Sequence, residues 1–432
     1  MQAGVDSEAG TLRTVLVCRP GLAQRRLTPA NCREYLFDDV MWVDRAIDDF
    51  AQFVLAMRQR GIEVLELHEL LAQTLDLPEA KAWLLQCTVA TDSAALSPHG
   101  PMQELREALA ALPSARLAEL MIGGVTRAEL PIKPTGLLDA CLEMTPFVLP
   151  PLPNLLYMRD SSCWVGRGLN LHPLSLPVRR NETALMAAVY RFHSRFAPLA
   201  QGAASGLVSG AALDGNLAAL EGGDVMPLGN GVVLAGIGER SGAQAVMRLA
   251  HTVLLGGAAT TLIAAQMPAC ARGARGGRSP HLDSVFTQCT PEVVTYLPEV
   301  VDKIVCHELR LASRGQGLMS RALPGRHLLD VLAEALGVPT LRAIATGSEH
   351  FDAARDRHSD GHTLAQQWDD GNNLLALAPG VVIGYDRCAS THKRLRQAGV
   401  EVIEIPGGEL SRGRGGAHGM SCPIARDAVS YG

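Results

Sequence analysis

The chain has 432 residues, 47% of them hydrophobic, and a formal net charge of −5. Such a length buries one large core or two smaller ones, and such an apolar share excludes a disordered chain. The negative balance and the lack of a sustained Lys/Arg run exclude nucleic acid and an anionic membrane as expected partners.

The segment Met1–Leu12 lacks the apolar core of a signal peptide, and no apolar stretch is long enough to span a bilayer. Ten cysteines at irregular spacings, with no Cys-x-x-Cys pair, read as reduced thiols. A cytoplasmic protein is expected, with a homo-oligomer as its assembly. The arginines at 272, 275 and 278 lie in a Gly-rich stretch and read as a solvated connection rather than a binding patch.

Taken in chain order, periodicity predicts a repeated unit of two extended runs, a helix and a further strand. The first copy is partial: strands at Thr14–Cys18 and Ile62–Leu67 around a helix at Val43–Arg60. Helices follow between Pro78 and Glu143, with Met102–Leu112, Ala115–Ile122 and Leu137–Glu143 as members. Gly123-Gly124 and Pro131–Pro134 punctuate them, and the segment reads as an insertion. The chain thereby divides into a first unit (1–75), a helical insertion (76–147) and the remaining units (148–432).

The next copy has strands at Cys163–Val165 and Leu169–His172, a helix at Glu182–Phe196 and no clear closing strand. Another has Val225–Leu228 and Val232–Gly236 about the turn Gly229-Asn230-Gly231, then Ala243–Leu255 and Thr260–Ala265. A fourth uses Ser284–Gln288, Val293–Leu297, His327–Leu336 and Leu341–Ala345. In the last, Leu374–Leu377 and Val381–Tyr385 precede a helix that Ser390 or Thr391 caps and Gly399 ends, and Val400–Ile405 returns as a strand. Five α/β units fit a closed repeat in which neighbours bury each other's faces, and equally an ordinary mixed α+β sheet.

Four motifs carry chemistry: Met158-Arg159-Asp160, Glu221-Gly222-Gly223-Asp224, His281-Leu282-Asp283 and the tail from Gly413 to Pro423. A planar guanidinium asks for paired carboxylates, and Asp160 and Asp283 each stand at the start of a predicted strand. His281, two residues before Asp283, is expected on the same side of an extended strand, with a pKa suited to proton transfer and Glu221 to orient it. Singly, each has a plainer role: a surface acid, a core histidine, a glycine turn. His350, His358 and His362 stand beside Asp352, Asp356 and Asp360 in what reads as a loop without a scaffold, so no metal is expected there.

Together the motifs resemble the arginine deiminases, close to the pseudomonad type. The resemblance runs from about Gly4 to Tyr431 and includes Ser7-Glu8-Ala9-Gly10, Phe37-Asp38-Asp39-Val40, Leu149–Asn154, Glu221–Pro227 and Trp368–Asn373. It implies a five-bladed α/β propeller (the pentein fold) with a helical insertion, and hydrolysis of L-arginine to L-citrulline and ammonia without metal or organic cofactor.

By the same resemblance Asp160 and Asp283 hold the guanidinium, and His281 with Glu221 moves protons. Asn154, Arg179 and Arg240 grip the amino-acid end, and Asp224 and Arg414 are further site positions. In the family a cysteine thiolate attacks the guanidinium carbon, and water then hydrolyses the amidino-thioester. The family tail reads Gly-Gly-x-His-Cys-Met-Thr-Cys-Pro, and this chain has Gly419 in place of the first cysteine. Cys422 matches the second, which that mechanism does not use. Tyr157 replaces a Phe, Cys388 an Asn, and the run Gly202–Gly215 is unusually rich in small residues. The alternative to an active deiminase is therefore a catalytically silent arginine-binding paralogue.

Overall fold

The computed structural model describes residues 3–89, 101–130, 147–200, 218–269, 280–312, 317–347 and 370–431. The expected helix at Leu137–Glu143, the arginines at 272, 275 and 278, the run Gly202–Gly215 and the His350–His362 group lie outside these residues. Among the described residues, no helix is long and apolar enough to cross a membrane.

Strand β1 (Leu12–Val17) runs parallel to β2 (Glu63–Glu66), and the helix Val43–Arg58 connects them. Strands β3 (Ser162–Val165) and β4 (Gly168–Leu171) form a hairpin followed by the helix Arg180–Phe192. Next come the hairpin β5 (Val225–Gly229) and β6 (Val232–Ile237), the helix Ala243–Leu255, and β7 (Thr261–Gln266) parallel to β6. The hairpin turn holds positive φ at Gly229, Asn230 and Gly231, the region that suits Gly and Asn.

The fourth unit pairs β8 (Phe286–Gln288) with β9 (Val293–Tyr296) antiparallel. Between β9 and the closing strand, the hairpin β10 (Val305–Leu311) and β11 (Leu318–Leu323) extends the previous unit's sheet by pairing with β7. The pattern of apolar residues does not mark this hairpin, because β11 is exposed along most of its length and β10 is only partly buried. The helix Leu328–Leu336 and β12 (Arg342–Ala345), parallel to β9, complete the unit.

The fifth unit has β13 (Leu375–Ala378), β14 (Val381–Tyr385), the helix Ala389–Gln397 and β15 (Glu401–Ile405) in the same order. Neither Ser390 nor Thr391 caps that helix; Cys388 is its N-cap and makes no side-chain cap bond. Finally β16 (Cys422–Arg426) pairs antiparallel with β1. The tail thus supplies the strand that the first unit lacks in sequence order.

The expected helical segment begins earlier than predicted. Helices span Leu67–Leu75, Pro78–Val89, Pro101–Ala110 and Ser114–Gly123. Their Leu71, Leu84, Leu85 and Leu117 share one apolar cluster with Trp164, Leu185 and Tyr190 of the second unit. Strands β5 and β6 are buried almost throughout, which explains continuous apolar runs where a half-exposed sheet would alternate.

A short turn stands just before β3, β5, β8, β13 and β16, and hydrogen bonds from these turns, or in one case from β8 itself, link each unit to the next in a ring. Gly223 N donates to Asp160 Oδ1 (3.2 Å) and Leu282 N to Asp224 Oδ1 (2.8 Å). Thr287 Oγ1 donates to Asn372 O, Gly419 N to Asn373 Oδ1 (2.8 Å), and Arg159 N to Gly419 O (3.1 Å). The ring holds residues far apart in sequence at one centre.

Candidate active site

At that centre lies a cavity of about 600 Å³, lined among others by Asn154, Asp160, Arg179, Arg240, His281, Asp283, Asn373, Arg414 and Gly419. The two glycines of Glu221-Gly222-Gly223-Asp224 are dictated by crowding. A Cβ on Gly222 would stand 2.1 Å from Arg159 O, and one on Gly223 would meet His281 Nδ1 at 2.9 Å and Asp160 and Asp283 at 3.1 Å. The expected pair of acids and the histidine therefore surround one backbone position.

His281 is not on an extended strand. It precedes a 3-10 turn, Leu282–Ser284, which still brings it and Asp283 to the same cavity. Its Nε2 lies 2.6 Å from Glu221 Oε2 and its Nδ1 3.6 Å from Asp160 Oδ1. Burial alone would lower its pKa; the charges of Asp160, Glu221 and Asp224 outweigh both burial and Arg240 and lift it to about 9.

Glu221 is fully buried. Its Oε1 accepts from Ser175 N and Oγ, and its Oε2 also receives Arg240 Nη1 at 3.2 Å. Burial would raise its carboxyl, but Arg240, His281 and Arg179 hold it well below the usual range.

Asp283 Oδ2 accepts from His418 Nδ1 at 2.9 Å, and behind them Glu8 and Arg159 form a buried ion pair at 2.7 Å. Burial again opposes ionisation of Asp283, and His418, His281 and Arg159 overcome it.

Of the residues expected among the substrate contacts, one stands outside the cavity lining and another lines it with its nitrogens engaged by acids. Asp224 is not among the residues that line the cavity; it takes Ser241 Oγ (2.6 Å) and Leu282 N (2.8 Å), and so supports the His281 turn from behind. Arg179 lines the cavity, but its Nε and Nη2 are spent on Glu182 at 2.8 Å and its Nη1 on Asp160 at 2.6 Å. The i,i+3 acid that neutralises it is legible in Arg179-Arg180-Asn181-Glu182 only when its burial is known. Arg414 pairs with Asp38 at the cavity wall, and Asn154 Nδ2 donates to Tyr35 O at 2.8 Å.

Sequence reasoning missed Asn373, whose Oδ1 accepts from both Gly416 N (2.9 Å) and Gly419 N (2.8 Å). It also missed the Glu8–Arg159–His418 support. Both lay in motifs already noted, but their partners are dozens to hundreds of residues away.

Donor atoms of Asp160, Glu221 and His281 lie within 4.8 Å of one another, as a metal would require. Arg179 and Arg240 already occupy those carboxylates, so cationic charge is supplied there by the protein.

Gly419 faces the cavity, and a Cβ added to it would meet nothing closer than Asn373 Oδ1 at 3.5 Å. Cys422 lies elsewhere. It is buried on β16, with Sγ 3.5 Å from Ser162 O and 3.9 Å from Tyr190 Oη, and burial pushes its thiol pKa up.

The arginine deiminase family model matches residues 33–426. The chain belongs to the arginine deiminase family.

Solved structures share its fold at low identity. SxtG, described as an amidinotransferase of saxitoxin biosynthesis from Microseira wollei, is 12% identical with a TM-score of 0.53, over 99% of this chain and 98% of its own. An AgrE mutant solved as a binary complex with L-arginine is 13% identical at a TM-score of 0.51, over 96% of this chain and 41% of its own. The N-terminal domain of ArgZ, an arginine dihydrolase of the cyanobacterial ornithine-ammonia cycle, is 11% identical at 0.50, over 96% and 97%.

Proposed function

We propose that this protein carries an arginine deiminase site for L-arginine, and that with glycine at 419 it binds the substrate without turning it over. The observation that carries both halves is Gly419: its backbone faces the cavity beside intact acids and histidine, and no thiol stands there. Asp160 and Asp283 take the guanidinium from two sides, and Arg240 with Asn154 receives the amino-acid end. Asp160 and Asp283 present two carboxylates to the cavity, the complement that a planar guanidinium asks for.

With a thiol at 419, attack on the guanidinium carbon would be followed by proton delivery from His281 to departing ammonia. Water would then release citrulline and restore the thiol. Without it, the remaining groups bind and polarise the substrate only. By analogy with nucleophile deletion in a serine protease the loss is roughly a million-fold, on the order of 8 kcal/mol of barrier. The same proposal closes the five units into a five-bladed propeller, on the strength of the hydrogen-bonded ring of turns, with the helical segment as an inserted domain.

Calorimetry with L-arginine and a citrulline assay test the proposal. The chain as written should bind arginine and form no citrulline, and Gly419→Cys should form it. Absence of binding refutes the site; robust citrulline from the unmodified chain, lost in Cys422→Ser, makes Cys422 the nucleophile instead.

A further inference from the structure

Cys18, Glu66 and His68 form a cluster outside the cavity. Val17 and Glu66 are paired residues at the ends of the parallel strands β1 and β2. Cys18 directly follows β1, and His68 lies in the first turn of the helix Leu67–Leu75. Their chemistry converges: His68 Nδ1 is 2.8 Å from Glu66 Oε1 and 4.0 Å from Cys18 Sγ, and one donor atom from each of the three lies within 4.8 Å of the others.

Tetrahedral zinc with a thiolate, an imidazole and a carboxylate places its donors about 3.3–3.6 Å apart, given Zn–S near 2.3 Å and Zn–N and Zn–O near 2.0–2.1 Å. His68 Nδ1 lies closer than that to the carboxylate and farther than that from the thiol, and the remaining pair is within 4.8 Å, so side-chain shifts of up to about an ångström reach it. Among the described residues, the hydrogen-bond contacts of Cys18 Sγ are long, at 3.9 Å to Arg19 O and 4.0 Å to His68 Nδ1, so a metal would displace no short one.

Glu66 side-chain exposure is 12%, which leaves an approach from solvent; Arg19 N donates to its Oε1 at 3.2 Å, and the half-exposed Arg19 side chain lies 3.6 Å from its Oε2.

We propose that Cys18, Glu66 and His68 are a zinc site that ties the ends of β1 and β2 to the helical segment, with the fourth position open to water. Binding through the thiolate releases the thiol proton to solvent.

The test titrates metal-free, full-length protein with Co²⁺ and then Zn²⁺. Cobalt should give a thiolate-to-metal absorption band at about one equivalent, and zinc should abolish it. Cys18→Ser should lose the band, His68→Gln should weaken binding at least about tenfold, and Cys422→Ser should leave both unchanged. His68→Gln keeps a hydrogen-bonding side chain, so it carries the test if Cys18→Ser fails to fold. A missing band, a band that survives Cys18→Ser, or cobalt bound without a band and displaced by L-arginine would overturn the proposal.

Discussion

Glycine at 419 leaves no side chain on a wall of the cavity where a nucleophile has room, and the charged groups around it are in place. Ligand binding and turnover therefore separate at the level of single residues. Asp283→Ala deletes one of the two acids that flank Gly223; since a hydrogen bond to a charged group is worth about 1.5–3 kcal/mol, arginine affinity should fall at least about tenfold by calorimetry. Gly223→Ala should do the same for a steric reason, because its methyl would stand against His281, Asp160 and Asp283.

His281 adds a pH signature. Its folded pKa of about 9 exceeds the ordinary 6.5, so its stabilisation is complete below pH 6.5 and is lost as pH rises through 9. The difference is on the order of 3 kcal/mol. Urea midpoints of the wild type should decline across that window, and His281→Asn should flatten the decline.

At the scale of elements, the turn before β13 and the tail turn act as one device through Asn373. Replacing its side chain by an apolar one strands two buried backbone N–H groups, at about 1–3 kcal/mol each. In a Gly419→Cys background, Asn373→Leu should cut citrulline formation by more than about tenfold, and Asn373→Asp, which keeps the acceptor, should restore part of it.

The helical segment should behave oppositely. Leu84 and Leu117 are fully buried in the cluster it shares with Trp164 and Tyr190, and among the described residues no part of it lines the cavity. Leu117→Ala should lower stability by about 2–5 kcal/mol in urea with arginine affinity unchanged. Lost affinity in a folded Leu117→Ala protein would contradict that division of labour.

Across the whole molecule, a second buried histidine sets the acid limit. His172 sits beneath the site, Nδ1 2.9 Å from Asp160 O, and burial lowers its pKa to about 4. Its folded value lies below the ordinary 6.5, so the unfolded chain takes up the proton first. The contribution of His172 to stability should therefore fall between pH 6.5 and 4, by up to about 3 kcal/mol. His172→Gln should reduce the difference between urea midpoints at pH 7 and pH 5.

By itself the sequence determined the repeated units and the four motifs. Hydrophobic runs, helix periodicity and glycine turns are local quantities, and the ordered motifs carry the resemblance to the family whose model matches residues 33–426. Only the tertiary structure decided that β16 completes the first unit, that Asp224 stands behind the cavity, that Glu182 neutralises Arg179, and that Asn373 holds the tail turn. Each of these is a pairing between groups buried together, and nothing in the local pattern of either partner specifies which distant group the closed fold will bring to it.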